Sequence, residues 1–412
     1  MKELDALERI KRHFFLIASS VLPAALGFFF LPIIVKEASV DQYARYVALQ
    51  SGLLVLNVFA GFSSAGYVSN AHVEEAKRQI IFSSMICVLM ISVPFLLIIA
   101  IFLDLTLVRQ GWMATAVMVG YAIASYINSL HISFFVLKKS YIHLFIQCAV
   151  QLSVQYGLVI VFIVFGVVNA TSLSVALLVG AIAGVMVCIQ FDTGLVLERS
   201  SVKITEAKRI FSYGLPLLPH FLLSIAIGNF DRWYLSSLPD DKTLAQYSIA
   251  FTLAATVMMA TDVYNKIYSP KIFDLLINGD HAISSHLRVQ RNFLFYCLVT
   301  ACFAYLAGYW YIQLFIDWKY DGVVRYFVFM LACNFFFVIY YIAAPYIYFY
   351  NKSKYVLYSS LMGAMAILCL FLFVPAMSGV VWLIIFKSVG ILVMGMTAVV
   401  GAWACFITRP ER

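Results

Sequence analysis

The stretch YGLPLLPHFLLSIAIGNFDRWYLSS, residues 213–237, decides how this chain is read. It is an apolar run long enough to cross a bilayer, whose hydrocarbon layer of roughly 30 Å takes about twenty helical residues. Yet it starts in mid-sequence, carries Pro216 and Pro219, and has Asp231 and Arg232 near its end. A comparable run, HFFLIASSVLPAALGFFFLPIIV, already occupies residues 13–35. A second beginning of this kind suggests that the chain repeats itself.

Composition places both runs in a membrane. Of 412 residues, 63% are hydrophobic and 12% are charged, whereas soluble domains are about half apolar and a quarter charged. Twelve spans fit, at 14–35, 47–69, 80–103, 112–137, 143–166, 172–191, 210–230, 244–265, 292–316, 324–350, 355–376 and 379–407. Residues 2–12 read as a short amphipathic segment at the membrane surface, followed by a retained first span rather than a cleaved leader. With the amino end in the cytoplasm, 20 Lys and Arg fall inside and 7 outside, and Lys387 lies within the last span. That asymmetry is the positive-inside pattern, and it places both termini in the cytoplasm. The net charge of +8 therefore calls for anionic lipid, not nucleic acid.

The eight cysteines all lie in apolar runs, without a CxxC pair or a histidine at ligand spacing. They read as small apolar fillers, and neither a metal site nor a cofactor is expected. The loops hold no hydrolase triad or phosphate-binding glycine loop, so no enzyme activity is read. The inner links 192–209 and 266–291 have room for short surface helices.

The repeat divides the chain into a lobe at 1–191, a cytoplasmic linker at 192–209 and a second lobe at 210–412. Ala44-Arg45-Tyr46 precedes the second span and Ala245-Gln246-Tyr247 precedes the eighth, 201 residues later. Each follows a polar outer turn and a span containing a Leu-Pro, at Leu22-Pro23 and Leu218-Pro219. Six spans per half give both halves one orientation, and transporters of that design hold substrate between the halves. Pro23, Pro32, Pro216, Pro219 and Pro345 remove backbone hydrogen bonds within spans and so allow bends or simple packing kinks.

The stretch at 213–237, followed by AQYSIA at 245–250, resembles the start of the second bundle of the Wzx O-antigen flippases. These belong to the polysaccharide transport branch of the MATE-like flippase superfamily. LPIIVKEASVDQYARYVAL, residues 31–49, resembles the matching stretch of the first bundle. The chain departs from the family's Gly-x-Tyr after the outer turn, with Ala44 and Ala245 in the glycine positions. The resemblance implies an all-α integral membrane fold of twelve helices in two six-helix lobes around a central cavity. It implies export of an undecaprenyl-diphosphate-linked oligosaccharide across the bacterial inner membrane, together with other polysaccharide assembly proteins.

Such a substrate asks for cations at its diphosphate, hydrogen bonds and aromatic faces at its sugars, and an apolar gap for its tail. Lys387, within the last span, is the sharpest candidate, because a charge at that depth usually faces an interior. Lysine can instead snorkel to the surface. Asp231 and Arg232 mark the outer end of the seventh span, as interfacial groups or as a gate, and Arg45 and Arg325 also lie at outer ends. His220 follows Pro219 near mid-span and suits an interhelical hydrogen bond or proton coupling. Gln147, Gln151 and Gln155 share one face of the fifth span, and Asn128 with Ser125, Ser129 and Ser133 marks the fourth. A polar stripe of this kind either lines a cavity or fastens helices. Asp262 and Lys266 are spaced to pair. The aromatic runs at 309–320 and 335–350 suit the membrane interface and could also stack on sugars.

Three functions fit these residues: a lipid-linked oligosaccharide flippase working by alternating access, a cation-coupled multidrug exporter of the same superfamily, and an O-antigen polymerase. The scarcity of core acids disfavours the exporter, and the lack of a long outer loop disfavours the polymerase.

Overall fold

Within lipid a backbone can hydrogen-bond only to itself, so apolar runs must become helices. A computed structural model describes residues 2–70, 78–138, 140–191, 202–238, 240–278, 282–350, 352, 354–373 and 379–407, and these contain helices but no strand. In chain order they are α1 (Lys2–Glu37), α2 (Val40–Phe59), α3 (Tyr67–Asn70), α4 (Arg78–Leu103), α5 (Trp112–Leu137), α6 (Tyr141–Val164), α7 (Ala170–Phe191) and α8 (Ile204–Gly214). The chain continues with α9 (Leu218–Ser237), α10 (Asp241–Ile277), α11 (Ile283–Phe315), α12 (Val323–Phe335), α13 (Phe337–Phe349), α14 (Lys354–Phe373) and α15 (Val380–Ile407). Among the described residues, twelve helical stretches are long and apolar enough to cross a membrane, with α8–α9 forming one and α12–α13 another. The all-helical, twelve-span reading therefore holds.

Differences lie at the helix ends. Residues 2–12 are not a separate surface segment, since α1 runs unbroken into the first span. The inner link placed at 266–291 shrinks to residues 278–282, because α10 extends to 37 residues and α11 to 33. Of the link at 192–209, residues 192–201 lie outside the described residues, and the remainder enters α8.

The chain forms two compact units, Met1–Leu222 with Ser236–Asp241, and Leu223–Leu235 with Lys242–Arg412. In the first unit, α6 packs on α1 and α7, and α5 packs on α2, α4 and α7. In the second, α15 packs against α12, α13 and α14.

The proline breaks occur where a helix starts, not where it runs. α1 passes through Pro23 and Pro32, and α13 passes through Pro345. The chain does break at residues 215–217, which contain Pro216, and Pro219 then lies in the first turn of α9, where a missing N–H costs little. The tenth span breaks at Phe336, nine residues before Pro345.

A sharper break ends the second span. In the segment Ala60–Gly66, Gly61, Phe62 and Ser63 take φ of +57°, +50° and +59°. Such left-handed backbone is costly for non-glycine residues and persists only where its surroundings hold it. Here Gly61 N–H donates to Ser92 Oγ at 3.1 Å, Ser63 Oγ to the Val58 carbonyl at 2.8 Å, and Ser64 Oγ bonds Tyr126 Oη at 2.7 Å. Helix α8 docks against this turn. The Phe62 and Phe211 rings meet edge to face at 5.1 Å, and Tyr67 Oη donates to Glu206 Oε1 at 2.8 Å.

Candidate functional site

The second unit buries a cluster of charges. On α9, Gly228, Asn229, Asp231 and Arg232 fall close together along the helix, and on α10 Tyr247 and Phe251 are four residues apart and share a face. Helix α15 supplies Lys387. Its side chain is fully buried, with Nζ 2.7 Å from Asp231 Oδ2 and donating to the Gly228 carbonyl at 2.5 Å. Asp231 is also fully buried, and its Oδ2 accepts from Tyr247 Oη while its Oδ1 accepts from the Arg232 N–H at 2.9 Å. Arg232 donates through Nη2 to Asn229 Oδ1. The Phe251 ring takes the Arg232 guanidinium at 4.1 Å and the Lys387 ammonium at 4.5 Å.

Charges withdrawn from water are tolerable only when paired and fully hydrogen-bonded. This cluster meets that demand for Asp231, which has three donors including the Lys387 ammonium, while the Arg232 guanidinium is held by Asn229 and the Phe251 face. Its formal balance is one positive charge in excess, held beside an aromatic face in a dry setting. Such a site attracts an anion and repels an organic cation.

The structure thus brings together Lys387, Asp231 and Arg232. Asp231 pairs across helices with Lys387, 156 residues away, and Lys387 does not snorkel. Arg325 is exposed on α12 of the same unit, outside this cluster, whereas Arg45, His220 and the amides lie in the first unit. Arg45 is exposed on α2. His220 is half-buried, its ring 5.3 Å from that of Phe221.

The amide stripe meets α7. Asn128 Nδ2 donates to the Ala181 carbonyl at 3.0 Å, and Gln147 Nε2 donates to Gln151 Oε1 at 3.0 Å. A Cβ at Gly184 would come within 2.9 Å of Gln147 Nε2, 3.0 Å of Gln151 Oε1 and 3.1 Å of Asn128 Nδ2, and one at Gly180 would meet Gln155 Cβ at 2.8 Å. These amides therefore occupy the contact that small residues on α7 leave open. Replacing Gly184 with valine should overpack it and cost about 1–3 kcal/mol, seen as a lower melting temperature of the purified protein, with Gly184→Ala between the two. An unchanged melt for the valine variant would contradict this packing. Ser129 and Ser133 bond carbonyls of their own helix, and Lys266 pairs with Asp262 at 2.8 Å.

Asn229, Tyr247 and Phe251 do not stand out in the sequence. Tyr247 lies in the repeated outer-turn motif, and Phe251 follows it by one helical turn, so the signal is present as spacing but carries no sign of depth.

No family model matches the chain, and no curated protein matches it. Solved structures do. The lipid II flippase MurJ in an inward closed conformation aligns with TM-score 0.69 at 12% identity, over 96% of this chain and 89% of that one. An inward-facing multidrug resistance MATE family transporter of the MOP superfamily aligns with TM-score 0.61 at 12% identity, over 96% and 94%. The MATE multidrug transporter DinF-BH gives 0.59 at 13% identity, over 97% and 95%. At these identities the likeness concerns the fold.

Proposed function

We propose that the chain is a flippase that carries an undecaprenyl-diphosphate-linked oligosaccharide, an O-antigen or related repeat unit, from the cytoplasmic to the periplasmic leaflet of a bacterial inner membrane. The observation that carries this reading is the buried cationic excess of Lys387 and Arg232 over Asp231. A diphosphate crossing the membrane needs a site where its charge is matched without bulk water, and Arg232 and Lys387 supply two donors for it. In this reading Tyr247 holds Asp231 when Lys387 turns toward substrate, so that the carboxylate is never left bare. The head group crosses by alternating access between the two lobes while the prenyl tail stays in lipid. The fold shared with the lipid II flippase MurJ supports a lipid-linked cargo.

The rival reading, a drug exporter, is favoured by the fold shared with MATE transporters. It needs a buried acid available to a cationic drug, and Asp231 is already neutralised by Lys387.

Deleting the gene in a strain without a redundant flippase should abolish delivery of repeat units to the outer leaflet. Complementation with Arg232→Gln should restore less than about a tenth of the wild-type level, since hydrogen bonds to charged groups contribute about 1.5–3 kcal/mol. Normal surface glycan in the deletion strain would sink the proposal, and a gain in drug sensitivity would support the rival.

A further inference from the structure

The second unit contains a cavity of about 430 Å³ lined by Arg325 and Tyr326 of α12, by Gly379 just before α15, and by Trp382 and Ile385 near its start. That volume lies in the usual range of about 300–1,000 Å³ for small-molecule pockets. We infer that this cavity is a saccharide subsite that selects an acidic or phosphorylated sugar.

Three observations support it. First, the cation is available. Asp321, the acid nearest Arg325 in sequence, is held by Lys242 at 3.2 Å and by Gln246 Nε2 at 2.9 Å. The hydrogen bond from Lys242 keeps its carboxyl below the usual value, so it stays ionised and engaged at neutral pH. Arg325 is exposed and has no ion pair among the described residues. A planar guanidinium with free donors is suited to a phosphate or carboxylate. Second, Trp382 and Tyr326 line the same cavity. Each offers an apolar face for the C–H side of a sugar ring and a polar edge for its hydroxyls. Third, the cavity sits next to the buried charges. The Tyr326 ring is 6.1 Å from that of Tyr247, which donates to Asp231. An anionic head group would pass from Arg232 and Lys387 to Arg325 across one aromatic layer. The subsite rests on the flippase reading for the carrier of the sugar, but not for binding itself.

The test is equilibrium binding to the purified full chain in phosphatidylcholine nanodiscs, with glucose 1-phosphate, glucose and inorganic phosphate as probes. Glucose 1-phosphate should bind at least about ten-fold tighter than either of the others, the effect of one charge-assisted hydrogen-bond set. Arg325→Gln should remove that advantage without weakening glucose, Arg325→Lys should retain part of it, and Trp382→Ala should weaken both sugars. Inorganic phosphate binding as tightly as glucose 1-phosphate would overturn the subsite. So would unaltered affinities in the Arg325→Gln and Trp382→Ala variants. Loss of glucose 1-phosphate binding when phosphatidylglycerol replaces a fifth of the lipid would also overturn it, by assigning Arg325 to a lipid headgroup. Because no export is measured, the two proposals fail separately. Arg325-dependent sugar binding alongside normal glycan in the deletion strain refutes only the flippase, and absent binding alongside lost glycan refutes only the subsite.

Discussion

Replacing Lys387 with methionine should destabilise the protein by about 3–5 kcal/mol, the usual result of removing one partner from a buried ion pair. Methionine keeps most of the volume, so the loss isolates the charge. Asp231 would retain the Tyr247 hydroxyl and the Arg232 amide but lose the ammonium 2.7 Å away. Its carboxylate would then be fully buried with only Arg232 nearby to offset it. Pairing the change with Asp231→Asn should recover most of the lost stability, since the amide needs no counter-charge. Thermal melting of the four proteins in mild detergent forms a double-mutant cycle. Equal melting of the single and double variants would show that the pair is not what Asp231 depends on. The double variant should still fail to export, which separates the stabilising role of the pair from the role proposed for its positive charge.

Gly61→Ala should be the most damaging small substitution in the first unit. At φ +57° any side chain is strained, at a cost of about 1–2 kcal/mol. The added methyl would also be driven into the ring and hydroxyl of Tyr126, and overpacking of this kind costs about 1–3 kcal/mol more. Tyr126 is buried and bonded to Ser64 Oγ, so it has no empty space to move into. The turn it supports is the one on which α8 docks through Phe211. Proteolysis near 202–214 should therefore quicken in the alanine variant, along with a lower melting temperature. Tyr126→Ala combined with Gly61→Ala should relieve the collision but not the strained backbone. A Gly61→Ala protein that melts like the wild type would contradict the left-handed turn.

The apolar runs were legible because span length and hydropathy are local properties. The end of α10 and the start of α11 were not, because a helix that leaves the membrane continues on ordinary polar residues. Nothing between Asn265 and Ile277 except Pro270 resembles a stop, and α10 accommodates that proline. The left-handed turn was hidden for the opposite reason. Gly61 is one of two glycines in a short stretch with Ser63 and Ser64 inside an apolar run, and its conformation is imposed by Ser92 and Tyr126 from other helices. The same distinction governs the site. Depth made Lys387 conspicuous, but a partner 156 residues away leaves no periodic trace. Asp231 was therefore read with its neighbour Arg232. The amide stripe was visible as spacing, and its contact with α7 became visible only with the glycines at 180 and 184 facing it.

The overhang of α10 sets two of its positive charges at different heights. Its 37 residues measure about 55 Å at 1.5 Å per residue, against roughly 30 Å of hydrocarbon. Its last dozen residues therefore rise about 18 Å past the acyl chains. Lys266 stands at the base of this overhang, paired with Asp262 at 2.8 Å on the helix surface. Lys271 rests on the Tyr268 ring at 4.7 Å, about 7.5 Å further along the helix and still within the screening distance of about 8 Å at physiological salt. Lys266 is half of an exposed ion pair, whereas Lys271 carries its charge without an ion pair among the described residues and lies within electrostatic reach of the same level. Along this helix, the lysine with charge left over for an anionic surface is therefore the one about a turn and a half further out.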